Sequence, residues 1–158
     1  MAILVRSAKR EELEKVNRLR KMVNDVHVNG RPDIFREGFC NALKEHIYEK
    51  FDNDGSDVFV AVKDGMICGF AVVDYVHKPE SLYSNSRSYY NVVEFGVDEK
   101  YRRQGVATKL MEFMKAGAAE KGFARIELDM WEFNEGALAF YESAGFQTYR
   151  RYMELDLR

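Results

Sequence analysis

Residues 57–76 read DVFVAVKDGMICGFAVVDYV, two apolar runs joined by Asp64-Gly65. No other stretch leaves this chain so few ways to fold. A two-residue turn of the Asp-Gly kind needs positive φ at its central residues, and it reverses the chain so that the flanking runs pair antiparallel. The segment over 57–77 therefore predicts a hairpin. After a polar, loop-like stretch at 78–88, KPESLYSNSRS, residues 89–97 (YYNVVEFGV) predict a further strand. The middle of the chain is a meander, and the apolar content on both sides of it calls for helices on the sheet.

Those helices are legible in the spacing. Residues 3–6 (ILVR) predict a short first strand, and Ser7 offers a hydroxyl to cap the helix that follows. Leu13, Val16, Leu19, Met22 and Val23 then recur at helical spacing to about residue 26. Gly30 and Pro32 break that pattern. A second helix is predicted over about 36–50, with Phe39, Leu43 and Ile47 on one face. Residues 103–121 predict a third, stopped by Gly122. FARIELDM, residues 123–130, predicts a strand. Asn134 starts a last helix that Gly145 ends, and FQTYRRYMELDL predicts a closing strand. The order β-α-α-β-β-β-α-β-α-β means an α/β (α+β) fold with a mixed sheet covered by helices.

Composition removes several classes of function. A net charge of −2 with a pI near 6.0 argues against a general nucleic-acid binder, which shows a strongly basic face. No apolar run approaches the ~18 residues of a membrane span. Cys40 and Cys68 are the only cysteines, too few for a disulfide framework and without metal-ligand spacing, so they read as buried small apolar residues and no metal is expected. MAILVRSAKREE has no long apolar core of a signal peptide. The expected address is cytoplasmic. At 158 residues the chain is expected to form one domain, 1–158.

The junction at 101–108, YRRQGVAT, stands between the strand ending at Val97 and the third helix. The first N–H groups of a helix lack intrahelical partners and carry partial positive charge. Such a terminus can hold an anion. Gly105 lets a bulky phosphate approach the backbone, Arg102 and Arg103 add charge-assisted donors, and Ala107 keeps the next turn slim. The arrangement suits a pyrophosphate; a plain helix start is the other reading.

The run VVEFGVDEKYRRQGVATKLMEFM resembles the coenzyme A-binding segment of the GCN5-related N-acetyltransferase superfamily. Arg102-Arg103-Gln104-Gly105-Val106-Ala107 matches its R/Q-x-x-G-x-G/A pattern. A second segment, Asn134, Ala137, Phe140-Tyr141-Glu142 and Gly145-Phe146, resembles its N-x-x-A-x-x-[FL]-Y-E-x-x-G-F signature. Two segments in the right order with a strand between them are far more specific than either alone. The resemblance implies a mostly antiparallel central sheet of about six to seven strands flanked by about four helices. It implies acetyl transfer from acetyl-coenzyme A to a primary amine of a small molecule or peptide, by direct attack in a ternary complex. Phe95-Gly96-Val97 would splay from IELDM and pair with the pantetheine arm. The amides of Gln104, Gly105, Val106, Ala107 and Thr108 would hold the pyrophosphate, and Asn134 would contact the cofactor. Members of the family often pair through their C-terminal strands, which implies a homodimer. A non-catalytic acyl-coenzyme A-binding module is the alternative.

Tyr141 matches the family tyrosine that protonates the leaving thiolate, a transfer that a hydrogen bond can orient. A core-packed helix tyrosine is its plain alternative. The incoming amine must also lose a proton, for which Glu94, then Asp129, then a water chain are the candidates. Trp131 and Phe133 read either as acceptor-pocket wall or as packing. His27 is a weak candidate in the loop expected after the first helix.

Overall fold

The computed structural model describes residues 2–158. In chain order it contains β1 (Leu4–Ser7), α1 (Leu13–Gly30), α2 (Asn41–Asp52), β2 (Ser56–Lys63), β3 (Met66–Lys78), β4 (Arg87–Val97), α3 (Val106–Glu120), β5 (Ile126–Glu127) and α4 (Glu135–Ser143). The strands lie in the order β1-β2-β3-β4-β5, with the first four antiparallel and β5 parallel to β4. The hairpin is as its turn demands. Asp64 and Gly65 take φ of 53° and 75°, and Lys63 pairs with Met66 across them.

Alternation along the strands divides the core in two. Val58, Val60, Phe70 and Val72 face α1 and α2 with Leu13, Val16 and Ile47. Phe59, Ala61, Ala71 and Val73 face α3 with Val106, Leu110 and Met114. Period-2 side chains on the strands and period-3.6 stripes on the helices thus make three layers, α/β/α, with the sheet in the middle.

The sheet has five strands where six to seven were expected, and the shortfall is at the C-terminal side, where one predicted strand is shortened and the closing one is absent. FARIELDM forms a ladder only at Ile126 and Glu127, opposite Tyr90 and Asn91. Residues 146–157 alternate as a strand does, yet form none. Among the described residues, no backbone hydrogen bond joins 147–158 to the rest of the chain. Tyr152, Met153, Leu155 and Leu157 are 85%, 94%, 82% and 88% exposed. The segment is an arm, tied by Tyr149, whose hydroxyl donates to Glu127 Oε1 at 2.6 Å, and by Arg31, which pairs with Glu154 at 2.9 Å. A strand needs a neighbour to accept its backbone groups, and alternation alone does not supply one.

Helix boundaries moved for local reasons. A 3-10 turn at Arg10–Glu12 precedes α1, and Glu12 rather than Ser7 organises the start, accepting from Lys9 N at 2.8 Å and from Arg6. At the other end α1 runs on to Gly30, because that glycine lets Phe133 lie against the helix. A Cβ there would fall 2.2 Å from Phe133 Cε1. Phe39 lies before α2, not in it, and packs over the guanidinium of Arg20. Cys68 is buried as expected, but Cys40 is exposed because it falls at the N-cap of α2 rather than inside the helix. Among the described residues no helix is long and apolar enough to cross a membrane.

Candidate active site

The start of α3 is a candidate anion seat made of main chain. Its N-cap, Gly105, has φ +86° and no side-chain cap, and Arg103 two residues earlier also takes positive φ, 62°. Two left-handed residues so close together curl successive amides toward one point, the concavity that binds anions. Among the described residues no protein group accepts from the amides of Gln104, Gly105, Val106, Ala107 or Thr108; the first helical bond is Lys109 N to Gly105 O at 3.0 Å. A Cβ on Gly105 would meet nothing within 4 Å, so its φ, not crowding, makes glycine the fitting residue. Helix α4 makes the contrast: Asn134 Oδ1 caps it, accepting from Ala137 N at 3.1 Å. The side-chain nitrogen of Asn134 has no partner among the described residues. Arg102 and Arg103 are exposed at the mouth.

A groove opens beside this seat. β4 and β5 pair only at Tyr90–Ile126 and Asn91–Glu127, so Phe95, Gly96 and Val97 have no ladder partner toward residues 128–132. On its other edge β4 carries a register shift, with Val72 opposite Glu94 and Val73 opposite Val92. Val93 is the extra residue of that bulge and is 42% exposed. A bulge reverses the alternation beyond it. Phe95 therefore joins Tyr90 and Val92 on the α3 side, while Glu94 turns to the α1 side.

The bulge separates two residues that the sequence groups. Tyr141 packs near Phe95, ring centres 6.1 Å apart, with Phe140 at 5.6 Å and Phe146 at 5.7 Å. Burial pushes its phenol up to about 12. Its hydroxyl has no protein partner among the described residues. Glu94 lies on the opposite face, where Arg20 Nε donates to its two oxygens at 3.0 and 3.2 Å. Asp129 is exposed on the segment after β5.

Other residues joined the site without being foreseen. Arg20 sits on the apolar face of α1 between Val16, Leu19 and Val23, a charge in a hydrophobic stripe that the spacing itself displays. Lys63, at the hairpin end of β2, donates to the side-chain oxygen of Gln104; nothing in the sequence brings that pair together. His27 lies in α1 rather than in a loop, stacked on Phe35 at 5.0 Å. Phe133 meets the imidazole edge-on, and Trp131 and Phe133 lie together, 6.3 Å apart. Burial lowers the imidazole below its ordinary value, against a smaller upward pull from Glu94. Among the described residues no group of three or more His, Cys, Asp or Glu is placed to hold a metal.

A bare helix start beside an opened parallel strand pair, under a mixed sheet, is the frame of a coenzyme A-dependent acyltransferase. The sequence model of the acetyltransferase (GNAT) family matches residues 21–146. The chain belongs to that family. It is 29% identical over 120 residues to N-alpha-acetyltransferase 30 of Schizosaccharomyces pombe, covering 75% of this chain and 76% of that one. It is 30% identical over 95 residues to the ribosomal protein bS18-alanine N-acetyltransferase of Escherichia coli K12, covering 59% and 57%. Among solved structures, a Bacillus halodurans protein superposes with TM-score 0.93 at 29% identity, covering 98% of this chain and 99% of its own. The aminoglycoside N-acetyltransferase AAC(6')-Iy, solved with coenzyme A, shares the fold at TM-score 0.77 and 21% identity, covering 99% and 95%.

Proposed function

We propose that this chain, acting as one domain, moves the acetyl group of acetyl-coenzyme A to a primary amine by direct attack in a ternary complex. The observation that carries this reading is the row of five unpaired amides, Gln104 to Thr108, next to the unpaired edge at Phe95–Val97. The pyrophosphate would take the amides and the pantetheine arm would take the strand edge. Arg102 and Arg103 would add charge at the mouth, and the free amide of Asn134 a further contact.

The chemistry balances with the groups present. The neutral amine nitrogen bonds to the thioester carbonyl carbon, and the carbon–sulfur bond breaks as the tetrahedral centre collapses. The sulfur leaves against the Tyr141 hydroxyl, which donates to it and is replenished from water. The amine's proton passes through water to a carboxylate. Glu94 is our assignment for it: a carboxylate offers about four acceptor positions, and Arg20 occupies only two. Exposed Asp129 is the less suitable candidate. A non-catalytic acyl-coenzyme A-binding module would keep the seat and have no use for a donor at position 141.

The deciding experiment is a thermal melt with and without acetyl-coenzyme A, with adenosine as control. At about 100 times its dissociation constant a ligand adds about 2.7 kcal/mol to the folded state, roughly 5–10 °C for a chain of this size. Gly105→Val should abolish the shift, since a β-branched residue resists positive φ. No shift with millimolar cofactor would overturn the reading.

We also read the arm at 147–157 as half of a homodimer contact. Its backbone groups and its apolar side chains are both uncovered, and the outer edge of β5 is open to a strand. Sedimentation at tens of micromolar should give the mass of two chains, and Met153→Glu with Leu155→Glu the mass of one. A wild-type chain that sediments singly refutes this contact and leaves the transferase reading untouched.

A further inference from the structure

Four aromatic rings meet where the end of α1, the connection after it and the segment after β5 converge. His27 stacks on Phe35 at 5.0 Å and 21°, and Phe35 meets Trp131 edge-on at 5.0 Å and 73°. Trp131 stacks on Phe133 at 6.3 Å and 26°, and Phe133 returns to His27 at 6.3 Å and 76°. The circuit is closed, and each ring is half-buried rather than sealed in the core. Gly30 fixes it in place, since any side chain there would displace Phe133.

Ring spacing decides what such a group can hold. An ammonium sandwiched between two parallel faces needs two van der Waals contacts, roughly 7–8 Å between rings. Neither stacked pair leaves that room, so the rings form a wall and not a cage. Their uncovered edges offer apolar contact.

Charge points the same way. The carboxylate whose field reaches His27 is Glu94, and its charge is met by the buried guanidinium of Arg20. Arg31, at the rim, is bound to Asp33 at 2.8 Å and to Glu154 at 2.9 Å. His27 itself is held toward its neutral form by burial. Glu94, Asp33 and Glu154 are thus each paired with a guanidinium, and Glu132, between Trp131 and Phe133, is the single carboxylate on that three-residue stretch; setting several ammonium charges against apolar rings with one counter-charge costs free energy. Trp131 stands on the segment that parts from β4 after Glu127, so the wall adjoins the strand opening.

We propose that this four-ring wall is the acceptor subsite and that it selects a primary monoamine carried on an apolar body about the size of one ring, in preference to polyamines and aminoglycosides. The proposal rests on the transferase reading above. The chemistry is shared by a free arylalkylamine and by a peptide whose first residue is apolar.

The test uses the intact chain with acetyl-coenzyme A and follows thiol release with 2-phenylethylamine, the tripeptide Phe-Ala-Ala, spermidine and sisomicin. We expect kcat/KM for one of the first two to exceed both polycations by 10-fold or more; which of the two leads tells a free amine from a peptide terminus. Phe35→Ala should raise KM for the preferred amine roughly 10- to 100-fold, the effect of losing a buried ring contact, with cofactor binding unchanged. Phe35→Leu, which keeps most of the volume, should recover much of that loss. Trp131 is the chain's only tryptophan, so the preferred amine should also change its fluorescence without turnover. Preference for spermidine or sisomicin would overturn the proposal. So would an unchanged KM in a folded Phe35→Ala chain. Failure to bind acetyl-coenzyme A at all would instead overturn the transferase reading, which the melt detects separately.

Discussion

Tyr141→Phe is expected to lower kcat by about 10²–10³-fold while the dissociation constant of acetyl-coenzyme A stays within a few-fold. The substitution removes one oxygen and keeps the ring that packs on Phe95, Phe140 and Phe146, so the groove keeps its shape. The size of the effect follows from the position of the phenol. Burial pushes it up to about 12, whereas a thiol titrates near 8.5. Full proton transfer ahead of bond breaking is therefore uphill. On the proposed mechanism the hydroxyl acts chiefly as a fixed donor to the sulfur as its charge develops, which is the role of an oxyanion-type donor. The sign of the pH dependence follows. Turnover rises with pH as the amine loses its proton, and Tyr141, held up by burial, imposes no falling limb in the neutral or mildly alkaline range. Steady-state kinetics with cofactor binding measured in parallel checks both statements. Wild-type turnover in the phenylalanine variant would remove the hydroxyl from the mechanism.

Arg20→Met is the second large effect, on stability: a loss of about 3–5 kcal/mol, or a Tm lowered by roughly 10 °C or more. The Arg20 side chain is 3% exposed. It donates to Glu94, to Asn17 Oδ1 at 2.9 Å and to the carbonyl of Leu43 at 2.6 Å, and its plane faces Phe39. One guanidinium thus fastens α1, the start of α2 and β4. Removing it leaves a carboxylate that is only 23% exposed, together with two acceptors, without their donor. Lysine would not repair the site, because a single ammonium cannot reproduce the planar fork. The double variant Arg20→Met, Glu94→Gln should be clearly more stable than Arg20→Met alone, since it no longer buries an unmatched charge. Chemical denaturation of the three chains decides it. Equal stabilities for the single and double variants would show that the pair contributes nothing.

The hairpin, the third helix and the last helix at Asn134 were legible because each depends on residues close in sequence: Asp64-Gly65, Gly105, and an Asn cap; the third helix starts at Val106 rather than 103 because Arg103 and Gly105 take left-handed φ. What was not legible depends on partners distant in sequence. Val93 and Glu94 look like ordinary members of an apolar strand, and only pairing with β3 reveals the extra residue that sends Glu94 toward Arg20. The FARIELDM strand stops at Glu127 because β4 parts from it there. Residues 146–157 have the alternation of a strand, but no neighbour in this chain accepts their backbone groups. For the candidate site, Gly105 and Tyr141 were marked by local pattern. Lys63 and the four-ring wall join pieces of chain that only the tertiary fold unites.

The seat at the start of α3 carries one more consequence. Its donors are peptide groups, which every residue but proline supplies alike. Side-chain replacement there changes the surroundings of the seat but not the donors themselves, so an alanine scan through 102–108 would register little beyond the two arginines and the glycine. Lineages can therefore exchange most letters of this stretch without surrendering the anion. What inheritance must hold constant is the path of the backbone, fixed by the two left-handed residues at 103 and 105.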